Sequence, residues 1–71
     1  MTNDVIKMMV KEIEDWIILL KIEYDNKGRS EWYTMTCNRI CGMVKMLTIA
    51  TGKECYFDHN GLHEKIRSNI W

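Results

Sequence analysis

Between residues 3 and 51 apolar side chains recur every three or four positions, and the pattern breaks once, at Asp25-Asn26-Lys27-Gly28. That regularity leaves few folds open. A period near 3.6 lines one side of a helix, so the chain reads as two amphipathic helices joined by a turn. With no proline and only four glycines, little else interrupts either segment.

The first helix is expected over residues 3–25. Asn3 or Thr2 supplies an N-cap oxygen, and Asp4 sits at the positive end of the helix dipole. Val5, Ile6, Met9, Val10, Ile13, Trp16, Ile17, Leu20 and Tyr24 fall on one face, with Lys7, Lys11, Glu14 and Lys21 mostly opposite. Ile18 and Ile22 stand one turn apart on the polar side, a vertical pair that points to a second contact. In the turn, Asp25 and Asn26 bend the chain through side-chain-to-backbone bonds, and Gly28 accepts positive φ. A β-hairpin over residues 20–33 is set aside. It pairs Ile22 with Glu31 and Trp32 with Lys21, so its strands share no apolar face.

The second helix is expected over residues 31–51, with Ser30 as N-cap and Gly52 closing it. Trp32, Tyr33, Met35, Ile40, Met43, Val44, Met46, Leu47 and Ala50 cover about half its circumference. A helix so broadly apolar needs more than one neighbour. Gly42, in mid-helix, marks either a close backbone approach or a tolerated cost of about 1 kcal/mol. Beyond Gly52, residues 54–57 read as extended and 58–61 as a turn. Residues 61–70 read as a short helix capped by Asn60, with Leu62, Ile66 and Ile70 on its apolar edge.

The fold expectation is one mainly all-α domain over residues 1–71: two long antiparallel helices, a short extended segment and a short C-terminal helix. Its core comprises Ile6, Val10, Ile13, Ile17, Leu20, Ile40, Val44, Leu47 and Ile66. With 46% apolar residues the chain is built to fold. Its 71 residues are few, however. A core in a chain of this size rarely gives more than ~3–5 kcal/mol, so a metal, a disulfide or a partner is expected to add to it.

Residues 1–10 lack the basic and apolar regions of a secretory leader, and the longest apolar run, residues 16–20, is too short to cross a bilayer. A cytoplasmic location follows as the expectation, with no membrane partner and with the three cysteines reduced. All three cysteines and both histidines fall within residues 37–63. Cys37 and Cys41 share one side of the second helix. Cys55 and either histidine, with His59 in the turn the better placed, could complete a Cys3His zinc site that would staple the fold. Zinc knuckles use C-x2-C turns, whereas C-x3-C within a helix also suits buried, apolar cysteines. The expectation is therefore no metal and no cofactor, with zinc as the alternative.

Nor is an enzyme expected. Cys55 with His59 or His63, oriented by Asp58, makes a thiol–imidazole pair on paper, but no oxyanion site accompanies it. No phosphate-binding or dinucleotide motif is present. Charge totals zero but is uneven: six acids against three lysines in residues 1–26, seven bases against four acids thereafter. Lys27, Arg29, Arg39, Lys45 and Lys53 suggest a modest phosphate-contacting face, yet the second helix is too apolar to read bases, and a nucleic-acid partner is not expected. The run Tyr56-Phe57-Asp58-His59-Asn60-Gly61 resembles the aromatic-hairpin turn of choline-binding repeats in bacterial cell-surface proteins. The likeness spans six residues without the tandem copies of that family, so nothing carries over.

What remains is a protein–protein interaction module. The broad arc of the second helix, the Ile18/Ile22 pair and six methionines point beyond the monomer, since methionine-rich surfaces adapt to partners. The expected partner is a second copy, in a homodimer that buries Trp32, Met35, Met43 and Met46, or another protein. One alternative is a phage or mobile-element inhibitor of a host complex, whose acidic first helix (Glu12, Asp15, Glu23) mimics nucleic-acid charge. Another is a zinc-stabilised or nucleic-acid-binding accessory protein.

Overall fold

The computed structural model describes residues 3–64. Helix α1 spans Asn3–Lys27 and helix α2 spans Glu31–Thr51. Strand β1 (Cys55–Asp58) and strand β2 (Gly61–Glu64) follow as an antiparallel pair.

Both helix boundaries have local causes. The Gly28 N–H donates to the Tyr24 carbonyl at 2.8 Å with φ at 68°, which ends α1 in the left-handed conformation that glycine alone adopts cheaply. Ser30 then caps α2: its Oγ accepts the Tyr33 N–H at 3.1 Å and donates to Glu23 at 2.6 Å. One hydroxyl therefore starts the second helix and ties it to the first. Gly52, at φ 72°, donates to the Thr48 carbonyl and stops α2. A Cβ built on Gly42 meets nothing within 4 Å, so that glycine marks no close approach.

The helices run antiparallel. Tyr24 meets Tyr33 near the turn, Trp16 meets Arg39 midway, and Met9 shares a groove with Met46 at the open end. Between them lies the buried core of Ile13, Ile17, Leu20, Ile40, Val44 and Leu47. Ile6 and Val10 pack against it half-buried. Thr36 is buried too, a polar residue at a position where the periodicity called for none. Val5 and Tyr24, assigned to the core face, lie exposed near the ends of α1, where the facing helix offers less cover.

The chain after Gly52 departs from expectation. Residues 61–64 form a strand, and Asn60 caps no helix. Residues 65–70 of the expected C-terminal helix, including Ile66 of the expected core, lie outside the described residues. The register pairs Cys55 with Glu64, Tyr56 with His63, Phe57 with Leu62 and Asp58 with Gly61. Positive φ is absent at His59 and Asn60, which excludes the primed hairpin turns; Gly61 takes it instead, at 136°. Asp58 Oδ1 accepts the Asn60 N–H at 2.8 Å, an Asx turn that reverses the chain. Leu62 thus reaches the core opposite Phe57, across a ladder and not along a helix.

The hairpin lies over one face of the helix pair. β1 packs beside Cys41, Val44 and Thr48 of α2, with the Cys55 N–H donating to Thr48 Oγ1 at 3.3 Å. β2 packs beside Ile6, Val10 and Glu14 of α1. The Cα envelope measures 41 × 32 × 16 Å, thin enough for one helix layer and one strand layer and no third. Among the described residues nothing lies on the face of the helices opposite the hairpin.

Candidate functional site: the open helical face

Because α1 and α2 are antiparallel and meet through their core stripes, the same angular sector of each points to the same side of the molecule. On the side away from the hairpin that sector carries Val5, Met9, Trp16 and Leu19 from α1, with Met8 at its margin. From α2 it carries Trp32, Arg39, Met43 and Met46, with Met35 at its margin. Trp32 is 42% exposed, Met35 65% and Met46 54%, values that leave large apolar side chains in water.

The face has three parts. At the open end Val5, Met8, Met9, Glu12, Ile13, Met43 and Met46 line a groove of about 420 Å³. Its walls are mostly flexible thioethers, which repack around differently shaped guests. Midway, Trp16 donates its indole N–H to Glu12 at 3.2 Å, and the Arg39 guanidinium lies 5.4 Å from the indole centroid. This acid–indole–base cluster holds the ring in place. Toward the turn stand Trp32, Met35 and Leu19.

The six expected interface residues do not form one patch. Trp32, Met35, Met43 and Met46 share the open face, whereas Ile18 and Ile22, both exposed, do not: Ile22 is on the outside of α1, and Ile18 lines a shallow pocket with Ile6, Val10 and Glu14 toward the hairpin. Val5 and Met9, expected on the core face, and Met8 and Leu19, assigned to no face, join the open face. The signal was available: each falls in the α1 sector that matches Trp32 and Met46 once the two helices are set antiparallel.

Part of α2's broad arc is accounted for by the hairpin, which covers Val44 and Thr48. The Cys/His cluster falls into two separate pairs: Cys41 and Cys55 line one pocket between α2 and β1, while Cys37 and His59 both meet Tyr33. Cys37 packs half-buried on the core, Cys41 is exposed, and the Cys55 thiol donates to the Lys53 carbonyl at 3.4 Å. His59 shares a 2.7 Å hydrogen bond with the Tyr33 hydroxyl and packs against the Tyr24 ring at a tilt of 52°, centroids 4.8 Å apart. Burial, and then the neighbouring Cys37, push the Tyr33 hydroxyl above its ordinary pKa. Among the described residues no three His, Cys, Asp or Glu side chains are arranged to hold a metal ion. The basic residues are scattered as well: Arg39 covers Trp16 on the open face, while Lys53 reaches Glu64 at the hairpin's end. Among the described residues no helix is long and apolar enough to cross a membrane.

On the hairpin's outer surface His63 Nε2 meets Asp58 Oδ1 at 2.9 Å, with Tyr56 stacked on the same imidazole. The His63 hydrogen bond, and then the Asn60 N–H, hold the Asp58 carboxyl below its ordinary value of 3.8. The folded chain thus favours the ionised form. The resulting stabilisation is present above pH 3.8 and is lost as pH falls through the lowered folded value. Thermal melts taken from about pH 5 down to about pH 2.5 should show wild type losing stability relative to Asp58→Asn, which keeps the turn's acceptor but does not titrate. A difference that stays flat across that range would remove the Asp58–His63 pair from the hairpin's energetics.

Comparison with family models, with curated proteins and with solved structures finds no match for this chain.

Proposed function

We propose that this chain is a non-catalytic protein–protein interaction module that docks through its open helical face. One observation carries the reading: one face of the helix pair is covered by the hairpin, while on the other Met8, Leu19, Trp32, Met35 and Met46 are exposed and Met8, Met9, Met43 and Met46 line one groove. Interface cores are enriched in aromatic residues, methionine and arginine, the residue types gathered here. A charge-mimicking inhibitor finds less support. Glu12 accepts from Trp16, Asp15 pairs with Lys11 and Glu23 accepts from Ser30, so each of the three acids is already engaged within the chain.

The test is affinity capture with wild type and with Met35→Glu/Met46→Glu as bait, including a differently tagged copy of the chain itself among the prey. Both sites are exposed, so the double variant should melt close to wild type, each change costing about 0.5 kcal/mol or less. It should nevertheless lose the partner that wild type retains. An equally folded double variant that holds the same partner would refute docking through this face.

A further inference from the structure

We propose that the occupant of the open face is a second copy of this chain, related by a two-fold axis perpendicular to the helices, with Trp32 of each copy seated in the methionine groove of the other. The inference rests on the docking reading above and specifies its partner. A two-fold interface requires one patch that carries both a protrusion and the recess to receive it. This face carries both. Trp32 stands exposed toward the turn, and the groove between Met9 and Met46 opens at the other end. Along α2, Trp32 precedes Met43 by about three turns and Met46 by nearly four, ~16–21 Å at ~1.5 Å per residue. A two-fold near Arg39, midway between them, exchanges the two positions, so both indoles seat at once.

Size and charge agree. Helices of 25 and 21 residues present together a face of roughly 35 by 20 Å, about 700 Å², at ~1.5 Å rise and ~10 Å width. A standard interface takes about 600–1,000 Å² from each partner, so a face of about 700 Å² falls in the lower part of that range when all of it is covered. At the axis each copy brings the Glu12–Trp16–Arg39 cluster, one acid and one base, so no excess of either sign is buried there. Tryptophan and arginine are the commonest energetic anchors of interfaces, and here they fall at the groove contacts and at the centre.

Sedimentation equilibrium of the full chain, under reductant from about 1 to about 100 μM, tests the proposal in the concentration range of ordinary complexes. Wild type should be dimeric at the upper end. Trp32→Ala, which removes both anchors at once, should raise Kd at least about 100-fold. Ile22→Ser, on the outside of α1, should leave Kd within about two-fold, as a substitution distant from the interface does. Met46→Arg should block the groove and weaken association as Trp32→Ala does. Mixing these last two variants should restore binding by about ten-fold or more over either alone, because the two defects coincide at one site of the mixed dimer and leave the other intact. A monomer throughout would overturn the second copy as occupant; a Met35/Met46-dependent capture of some other protein would leave the docking reading standing. A wild-type dimer in which the mixed variants show no recovery would overturn the Trp32-in-groove arrangement.

Discussion

Replacing Ile40 with alanine should leave most molecules unfolded at 25 °C and low protein concentration. Ile40 is fully buried between the two helices, among Ile13, Ile17, Leu20, Val44 and Leu47. Truncating a buried isoleucine to alanine costs about 2–5 kcal/mol, the upper part of the range applying where the surroundings cannot collapse into the cavity. A core in a chain of 71 residues supplies only ~3–5 kcal/mol in the first place. The two quantities are of equal size, so the variant sits at or beyond its midpoint without denaturant. Urea titration followed by helical circular dichroism measures it. Ile40→Val, expected to cost about 0.5–1.5 kcal/mol, should still show a cooperative transition. An alanine variant within about 1 kcal/mol of wild type would mean that Ile40 is not the centre of the core. Because association stabilises only the folded chain, raising the concentration should partly rescue Ile40→Ala through mass action if the open face dimerises. The core of a single copy and the face it presents to another are thereby coupled.

The helical half of the fold was legible because its determinants are local. The stripe from Ile13 to Leu20, the Ser30 cap, the positive φ at Gly28 and Gly52, and the rejected hairpin at residues 20–33 all follow from spacing and turn chemistry within one or two turns of chain. The C-terminal half was not legible, for the opposite reason. Leu62, Ile66 and Ile70 repeat every four residues and imitate a helix edge, while a strand of four residues offers too little alternation to compete with that signal. What decides the matter is the pairing of Leu62 with Phe57 and the Asx turn at Asp58. The candidate site was half legible for a related reason. A wheel drawn for α2 alone finds Trp32, Met35, Met43 and Met46, but Met8 and Leu19 join them only when the second helix is placed beside the first. Ile18 and Ile22 share a helix with the site without sharing its face.

His59 should prove to be the latch that keeps the hairpin on the helices. A two-stranded hairpin is marginal at best by itself, so β1 and β2 owe their order to what they touch. Phe57 and Leu62 bury their side chains toward the core at one stretch, and His59 anchors the turn at another. Its imidazole packs tilted against Tyr24 at 4.8 Å, meets Tyr33 edge-on at 5.8 Å and shares a 2.7 Å hydrogen bond with the Tyr33 hydroxyl. Ring pairs contribute about 0.5–1.5 kcal/mol each and the hydrogen bond a similar net amount, together about 2–3 kcal/mol of docking free energy. His59→Ala should therefore open the hairpin about 30- to 150-fold more often, read by native-state amide exchange as lost protection across residues 55–64. Tyr33→Phe keeps the rings and deletes only the hydroxyl, so it should cost about 1 kcal/mol, near five-fold. The amides around Ile13, Ile17, Ile40 and Val44 should keep their protection in both variants, because the helix pair is closed by its own core and by Ser30. Equal loss in the helices would show that the sheet and the helices open as one unit, and the division into a helical body with a latched hairpin would fail.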